Sequence, residues 1–118
     1  MQKWEEVEGN IASPRGFRGA GAAAQIKKTQ GELDLALVVC DVPAATAAGV
    51  FTTNLAAAAP VLVSRQNLVE SRGRCRALLV NAGNANACTG RQGLHTARES
   101  ARVVAKLLDL APAQVTAF

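Results

Sequence analysis

The stretch Cys75-Arg76-Ala77-Leu78-Leu79-Val80-Asn81-Ala82-Gly83-Asn84-Ala85-Asn86-Ala87-Cys88-Thr89-Gly90, followed by Arg91-Gln92-Gly93-Leu94, decides how this chain folds. Cys75 to Val80 is an apolar run that suits a buried strand, and it passes directly into a polar loop, Asn81–Gly90. Beyond the loop the spacing predicts a helix over about Gln92 to Leu110. Leu94, Ala97, Ala101, Val104, Ala105 and Leu108 keep the i, i+3, i+4, i+7 rhythm of one buried stripe. His95, Glu99, Arg102 and Lys106 fall on the opposite face, spaced for weak surface ion pairs, so His95 reads as a solvated helix residue and not as a base. Pro112 stops the helix, and Val115–Phe118 begins a further strand.

Working towards the N-terminus, Leu33–Cys40 is a continuous aliphatic run between Gly31 and Asp41–Pro43, as expected of a strand buried on both faces. Gly49–Thr53 is β-favouring. Pro60–Ser64 reads as a short strand with its proline at the first position, and Arg65–Ser71 as a short helix or turn closed by Gly73. Ile11–Gly21, broken by Pro14, Gly16, Gly19 and Gly21, reads as an irregular entry segment with Phe17 as an anchor into the core. The expected class is α+β (mixed α/β): strands with one long helix, in a single domain over residues 1–118.

Composition excludes several classes. The chain has 118 residues, 49% hydrophobic and 19% charged, too apolar for a disordered segment. A compact chain of this mass exposes roughly 6,000 Å² and hides about two-thirds of its unfolded surface. No apolar run reaches 18 residues, which argues against a membrane span, and Glu5, Glu6 and Glu8 are wrong for a secretory signal. The cytoplasm is the expected compartment. Residues 1–41 carry five Lys/Arg and six Asp/Glu, and residues 42–118 carry eight and three. The basic half does not indicate nucleic acid, because its arginines are scattered and no aromatic residues interleave with them for base stacking. Cys40, Cys75 and Cys88 have no C-x-x-C spacing, and His95 is the lone imidazole, so no metal site is expected. Cys40 and Cys75 read as buried thiols and Cys88 as the exposed one. Three Phe, one Trp, no Tyr and about a fifth alanine make a thin core, suited to packing against more protein.

The loop after the third apolar run carries the chemistry. Asn81, Asn84 and Asn86 supply carboxamides and Thr89 a hydroxyl, beside the unsatisfied N–H groups that open the helix. Gly83 and Gly90 permit positive φ. Such groups can hold a carboxylate, an amide or a developing oxyanion without titrating. Equally, Asn and Gly can build a turn whose amides satisfy its own backbone. No G-K-[ST] follows, so this is not a phosphate-binding Walker loop.

The same segment, Asn81-Ala82-Gly83-Asn84-Ala85-Asn86-Ala87-Cys88-Thr89-Gly90, resembles the N-x-G-N-A-N-A-C-T-G signature of the bifunctional glutamate N-acetyltransferase/ornithine acetyltransferase family of arginine biosynthesis. Pro14–Gly21 with Ile26-Lys27 resembles its P-x-G-F-x-x-A-G…I-K opening. Asp34–Leu37, Ala48–Asn54 and Ala58–Val61 resemble its D-L-A-L, A-G-V-F-T-x-N and A-A-P-V blocks, in the family's order. The resemblance implies the N-terminal portion of the self-cleaving ornithine acetyltransferase/DmpA-like fold. It implies acetyl transfer from N-acetylornithine to a threonine nucleophile and on to glutamate, with acetyl-coenzyme A as a further donor in bifunctional members and no resident cofactor.

It also implies partners: the rest of the first (alpha) chain and the beta chain of the same precursor, in a heterotetramer of two alpha and two beta chains. The family's S-T-G-[VL]-I-G motif, whose Thr-Gly builds the oxyanion hole, and its cleavage-site threonine match no position up to Phe118. The expectation is therefore an N-terminal fragment of the alpha chain, incomplete as a domain, with no catalytic residue of its own and inactive alone. Asn81, Asn84, Asn86 and Thr89 are expected beside the substrate. The competing reading is a non-catalytic binding or scaffold domain derived from the family; a self-processing aminopeptidase of the same fold is a third. The expectation for the isolated chain is marginal stability or association through an unpaired Val115–Phe118 edge.

Overall fold

The computed structural model describes residues 3–118. Among these residues, four strands and two helices follow in the order β1 (Phe17–Ala22), β2 (Leu35–Cys40), α1 (Ala59–Glu70), β3 (Ala77–Asn81), α2 (Gly90–Leu108) and β4 (Val115–Ala117), the last preceded by a 3-10 turn at Pro112–Gln114. The strands form one sheet in the order β1-β2-β3-β4. β1 and β2 are antiparallel with Phe17 opposite Cys40, β2 and β3 are antiparallel with Leu35 opposite Asn81, and β3 and β4 are parallel with Ala77 opposite Val115. A parallel pair needs a crossover, and α2 supplies it.

Alternation along the strands sends one set of side chains to the helices. Val39, Ala77 and Val115 pack with Ala101, Val104 and Ala105 of α2, flanked by Leu37, Leu79, Leu108 and Leu110. A second cluster, Ala59, Val63 and Ala97 with Leu94, joins α1 to α2. The alanines shorten the distance between layers; each buries little area, but together they let the helices lie close on the sheet. α2 matches its predicted span closely. Asp109 ends it in the left-handed conformation, with Leu110 N–H donating to Ala105 O at 2.8 Å.

Several expectations need correction. The run Pro60–Ser64 is helical, not a strand, and it continues into the Arg65–Ser71 stretch, read as a short helix or turn, to make α1, so two helices cover the sheet. Pro60 sits in the first turn of α1, where its fixed φ is preorganised and its missing N–H costs nothing. The face of α1 that is buried is Ala59, Val63, Ser64 and Asn67, half of it polar, so hydrophobicity alone showed no stripe. The glycine-broken entry segment contains β1, which is exposed along its whole length and is held by its ladder with β2 rather than by an apolar face. Phe17 is exposed and does not anchor the core. Gly49–Thr53 forms no strand. β2 is buried only towards its end, at Val39 and Cys40, with Ala36 exposed. Cys40 is buried, Cys75 half-buried and Cys88 exposed.

The edge of β4 also differs from expectation. All three of its residues are buried. On the side away from β3, the Ser64 hydroxyl accepts from Ala117 N–H at 3.0 Å and donates to Ala117 O at 2.8 Å. Asn67 Nδ2 donates to Val115 O at 2.8 Å. Polar side chains of α1 thus complete the backbone hydrogen bonds that a fifth strand would otherwise take. The opposite face of the sheet, by contrast, leaves Val80 and Phe118 exposed. The total surface, 8716 Å², exceeds what a compact chain of this mass exposes, roughly 6,000 Å². Among the described residues no helix is long and apolar enough to cross a membrane.

Ser64 is fully buried, so Ser64→Ala leaves two strand groups without partners and without water. Equilibrium urea unfolding is expected to show a loss of about 1–3 kcal/mol. Ser71→Ala, whose hydroxyl makes only a 3.4 Å contact to Leu68 O, is expected to stay within about 0.5 kcal/mol of the parent.

Candidate functional site

Where β3 leaves the sheet, the chain folds back on itself through its own carboxamides. Asn81 Nδ2 donates to Asn84 O at 2.7 Å, and Asn84 Oδ1 accepts from Asn86 N–H at 2.9 Å. Asn86 Nδ2 donates to Gly93 O at 2.9 Å, while the Thr89 hydroxyl lies 2.6 Å from Asn86 Oδ1 and donates to it. Asn86 O accepts from Ala59 N–H at 3.3 Å, which ties the loop to the start of α1. Gly83, Asn86, Cys88 and Gly90 all have positive φ, a conformation that the two glycines and Asn86 adopt at low cost and Cys88 does not.

This bonding divides the four expected residues into two pairs. Asn86 and Thr89 spend their polar groups on each other and on α2. The Asn84 carboxamide nitrogen and the Asn81 carboxamide oxygen have no such partner among the described residues. Thr89 occupies the N-cap position of α2 without capping it, so the first N–H groups of the helix receive no side-chain acceptor there.

All four residues line one concavity of about 550 Å³. Its other walls come from Gln92, Thr96 and Ser100 of α2, from Leu35 and Leu79 of the sheet, from Pro60 of α1, and from Ile26. The site is thus polar along the loop and helix and aliphatic along the sheet. No lining side chain ionises, so these groups can bind and polarise but cannot carry a proton between reactants. Sequence reading missed the Gln92, Thr96, Ser100 row. Its four-residue spacing was visible, but it lies between the apolar stripe and the charged face of α2. Ile26 entered the sequence reading only through the family resemblance of Ile26-Lys27, and its place at the site depends on a contact eight residues along the chain.

That contact is Asp34. Its buried carboxylate accepts from the backbone N–H groups of Ala24 at 2.6 Å, Ile26 at 2.6 Å and Lys27 at 2.9 Å. The Lys27 and Ala24 N–H groups hold this carboxyl below the usual carboxylate range, with Ile26 adding to them, against the opposing effect of burial.

Two expectations follow. Gly93 is buried in the first turns of α2, and a Cβ there would overlap Thr89 Oγ1 and lie 2.6 Å from Asn86 Oδ1. Alanine in a helix ordinarily stabilises relative to glycine by about 0.5–1 kcal/mol. Gly93→Ala is expected to reverse that sign and cost about 1–3 kcal/mol in urea unfolding. For Asp34, the folded group binds its proton more weakly than the unfolded one. Its stabilising contribution is complete above the unfolded pKa and is lost as pH falls through the folded value. Acidification below about pH 4 should shift the Ala24, Ile26 and Lys27 amide resonances together, with a midpoint lower than that of an ordinary aspartate. Asp34→Asn should abolish that titration.

Comparison with known proteins bears on this site. Residues 18–118 match the family model described as the ArgJ family. The arginine biosynthesis bifunctional protein ArgJ of Gloeobacter violaceus is 46% identical over 115 residues, covering 98% of this chain and 28% of that protein. The crystal structure of ornithine acetyltransferase complexed with ornithine from Mycobacterium tuberculosis superposes with a TM-score of 0.84 at 45% identity, covering 91% of this chain and 56% of the other. That of the arginine biosynthesis bifunctional protein from Bacillus halodurans gives 0.83 at 34% identity, covering 92% and 55%. The chain spans about a quarter of the length of the curated relatives it matches. With the family model covering all of the sheet but the first residue of β1, and with the same fold in two solved relatives, the chain belongs to the ArgJ family.

Proposed function

We propose that this chain forms one wall of the acyl-transfer pocket of an enzyme that moves acetyl from N-acetylornithine to glutamate, with acetyl-coenzyme A as a second donor where the enzyme is bifunctional. The observation that carries the reading is the convergence of Asn81, Asn84, Asn86 and Thr89 on one concavity that also has an aliphatic floor. N-acetylornithine has matching parts: an amide to hydrogen-bond and a methylene chain to lay on apolar surface. A relative of this fold at 45% identity was crystallised with ornithine, which supports a substrate of this class.

In this reading Asn86 and Thr89 shape the loop, and Asn84 with Asn81 addresses the substrate. An amide N–H aimed at an acyl oxygen stabilises the negative charge that develops when a nucleophile adds to the carbonyl. The nucleophile itself belongs to other parts of the family's length, as the resemblance implies a threonine in a second chain. This segment contributes binding and polarisation, and by itself turns nothing over. No resident cofactor takes part. Its partners are the remainder of the alpha chain and the beta chain, assembled as two alpha and two beta chains in the cytoplasm. The sheet face that leaves Val80 and Phe118 exposed is a surface on which they can pack.

The test uses a full-length ArgJ protein carrying this segment, with single-turnover deacetylation of N-acetylornithine measured beside thermal melts. Asn84→Ala is expected to lower the transfer rate per folded molecule on the order of 10²-fold. Asn86→Ala is expected to lower stability, with activity following the folded fraction. Unchanged turnover per folded molecule in Asn84→Ala would remove the site role and leave a self-bonded turn on a scaffold module.

A further inference from the structure

One residue reaches both loops that flank the concavity. Asp34 precedes β2, and its carboxylate collects the N–H groups of Ala24, Ile26 and Lys27. Its own N–H donates to Ala22 O at 3.1 Å, and its carbonyl accepts from Ala82 N–H at 2.9 Å. The segment it holds is pressed against the asparagine loop. A Cβ built on Gly83 would come within 2.9 Å of Lys27 Cγ and 3.3 Å of Lys27 Cα and N. Ile26, bound at its amide, lies between these contacts and lines the concavity beside Leu35 and Asn81. Asp34 itself does not line it.

We propose that Asp34 is a positioning residue of the site: it fixes Ile26 as the apolar wall against which the methylene chain of the substrate packs. The inference rests on the acyl-transfer reading of the concavity. A residue acting this way serves binding equally in the ground and transition states, so its loss raises KM and leaves kcat unchanged. Asn84, which addresses the developing charge, does the opposite. The two roles therefore separate kinetically.

The experiment compares Asp34→Ala, Asp34→Asn, Ile26→Ala and the double variant Asp34→Ala/Ile26→Ala in a full-length ArgJ protein carrying this segment, each rate normalised to the folded fraction. Asp34→Ala and Ile26→Ala are each expected to raise KM for N-acetylornithine on the order of 10-fold, the range of a lost apolar contact, with kcat unchanged. Asp34→Asn keeps one carbonyl acceptor for Ile26 and Lys27 and should fall between parent and alanine. The double variant should be no worse than Ile26→Ala, since Asp34 acts through Ile26. An Asp34→Ala that only lowers Tm, with KM intact, overturns the proposal, and so does strict additivity in the double variant. Should the alanine variant fail to fold, the unmodified protein decides: N-acetylornithine must shift the Ile26 and Lys27 amide resonances, and their silence at saturating ligand overturns it. The two readings fail differently. A normal kcat in Asn84→Ala removes the acyl-transfer role of the loop, whereas a normal KM in the Asp34 variants beside a defective Asn84→Ala removes the positioning role alone.

Discussion

β4 is three residues long and entirely buried, and the hydrogen bonds of its backbone constrain everything around it. On one side it pairs in parallel with β3, and a parallel partner cannot be reached by a tight turn. The chain must therefore cross over the sheet, which fixes α2 and the loop that starts it. On the other side, buried N–H and C=O groups must still be satisfied, and Ser64 and Asn67 meet them. This requirement explains why a helix with polar residues on its inner face lies there at all. The alanine-rich contacts between α1, α2 and the sheet follow, because polar side chains reach a strand edge only when the helix lies close.

The asparagine loop inherits its position from the same crossover. It begins where β3 ends and finishes where α2 starts, so its shape has to fit between two fixed points. Asn84 and Asn86 close that span with short internal hydrogen bonds, and Gly93 leaves room for Thr89 against the helix. A loop bonded in this way holds its shape without a hydrophobic centre, and a fixed shape is what the proposed substrate-binding role requires of its remaining polar groups. The neutral lining suits such a role, because amides and hydroxyls keep the same hydrogen-bonding capacity across the physiological pH range.

The sheet has two unlike faces. One is covered by the helices except where Leu35 and Leu79 floor the concavity, and the other carries Val38, Leu78 and Phe118 beside Phe17 without a comparable layer on it. Domains of this kind bury both faces of a sheet when they can, and a thin alanine-rich core makes that need stronger.

Legibility in the sequence followed the physics of each element. α2 was readable because its buried and exposed faces differ in hydrophobicity, and β2 and β3 because they are aliphatic runs with clear stops. The family resemblance was readable from the loop, whose residues are set by local turn chemistry. α1 was readable only in its second half, where Arg65–Ser71 reads as a short helix or turn; its first half was not, because the inner face is half polar and completes hydrogen bonds with a strand some fifty residues away. β1 was hidden for a related reason, since an exposed edge strand needs only its ladder and no apolar alternation. The sequence alone named Asn81, Asn84, Asn86 and Thr89 as a group. Only the tertiary structure decided that Asn86 and Thr89 are spent on each other, that Gln92, Thr96 and Ser100 join them, and that Asp34 brings Ile26 to the same concavity. The hydrogen bonds concerned span only three residues for Asn86–Thr89 and eight for Asp34–Ile26. Each polar group nevertheless has several partners within reach along the chain, and only the packing of these loops against the sheet and α2 selects one.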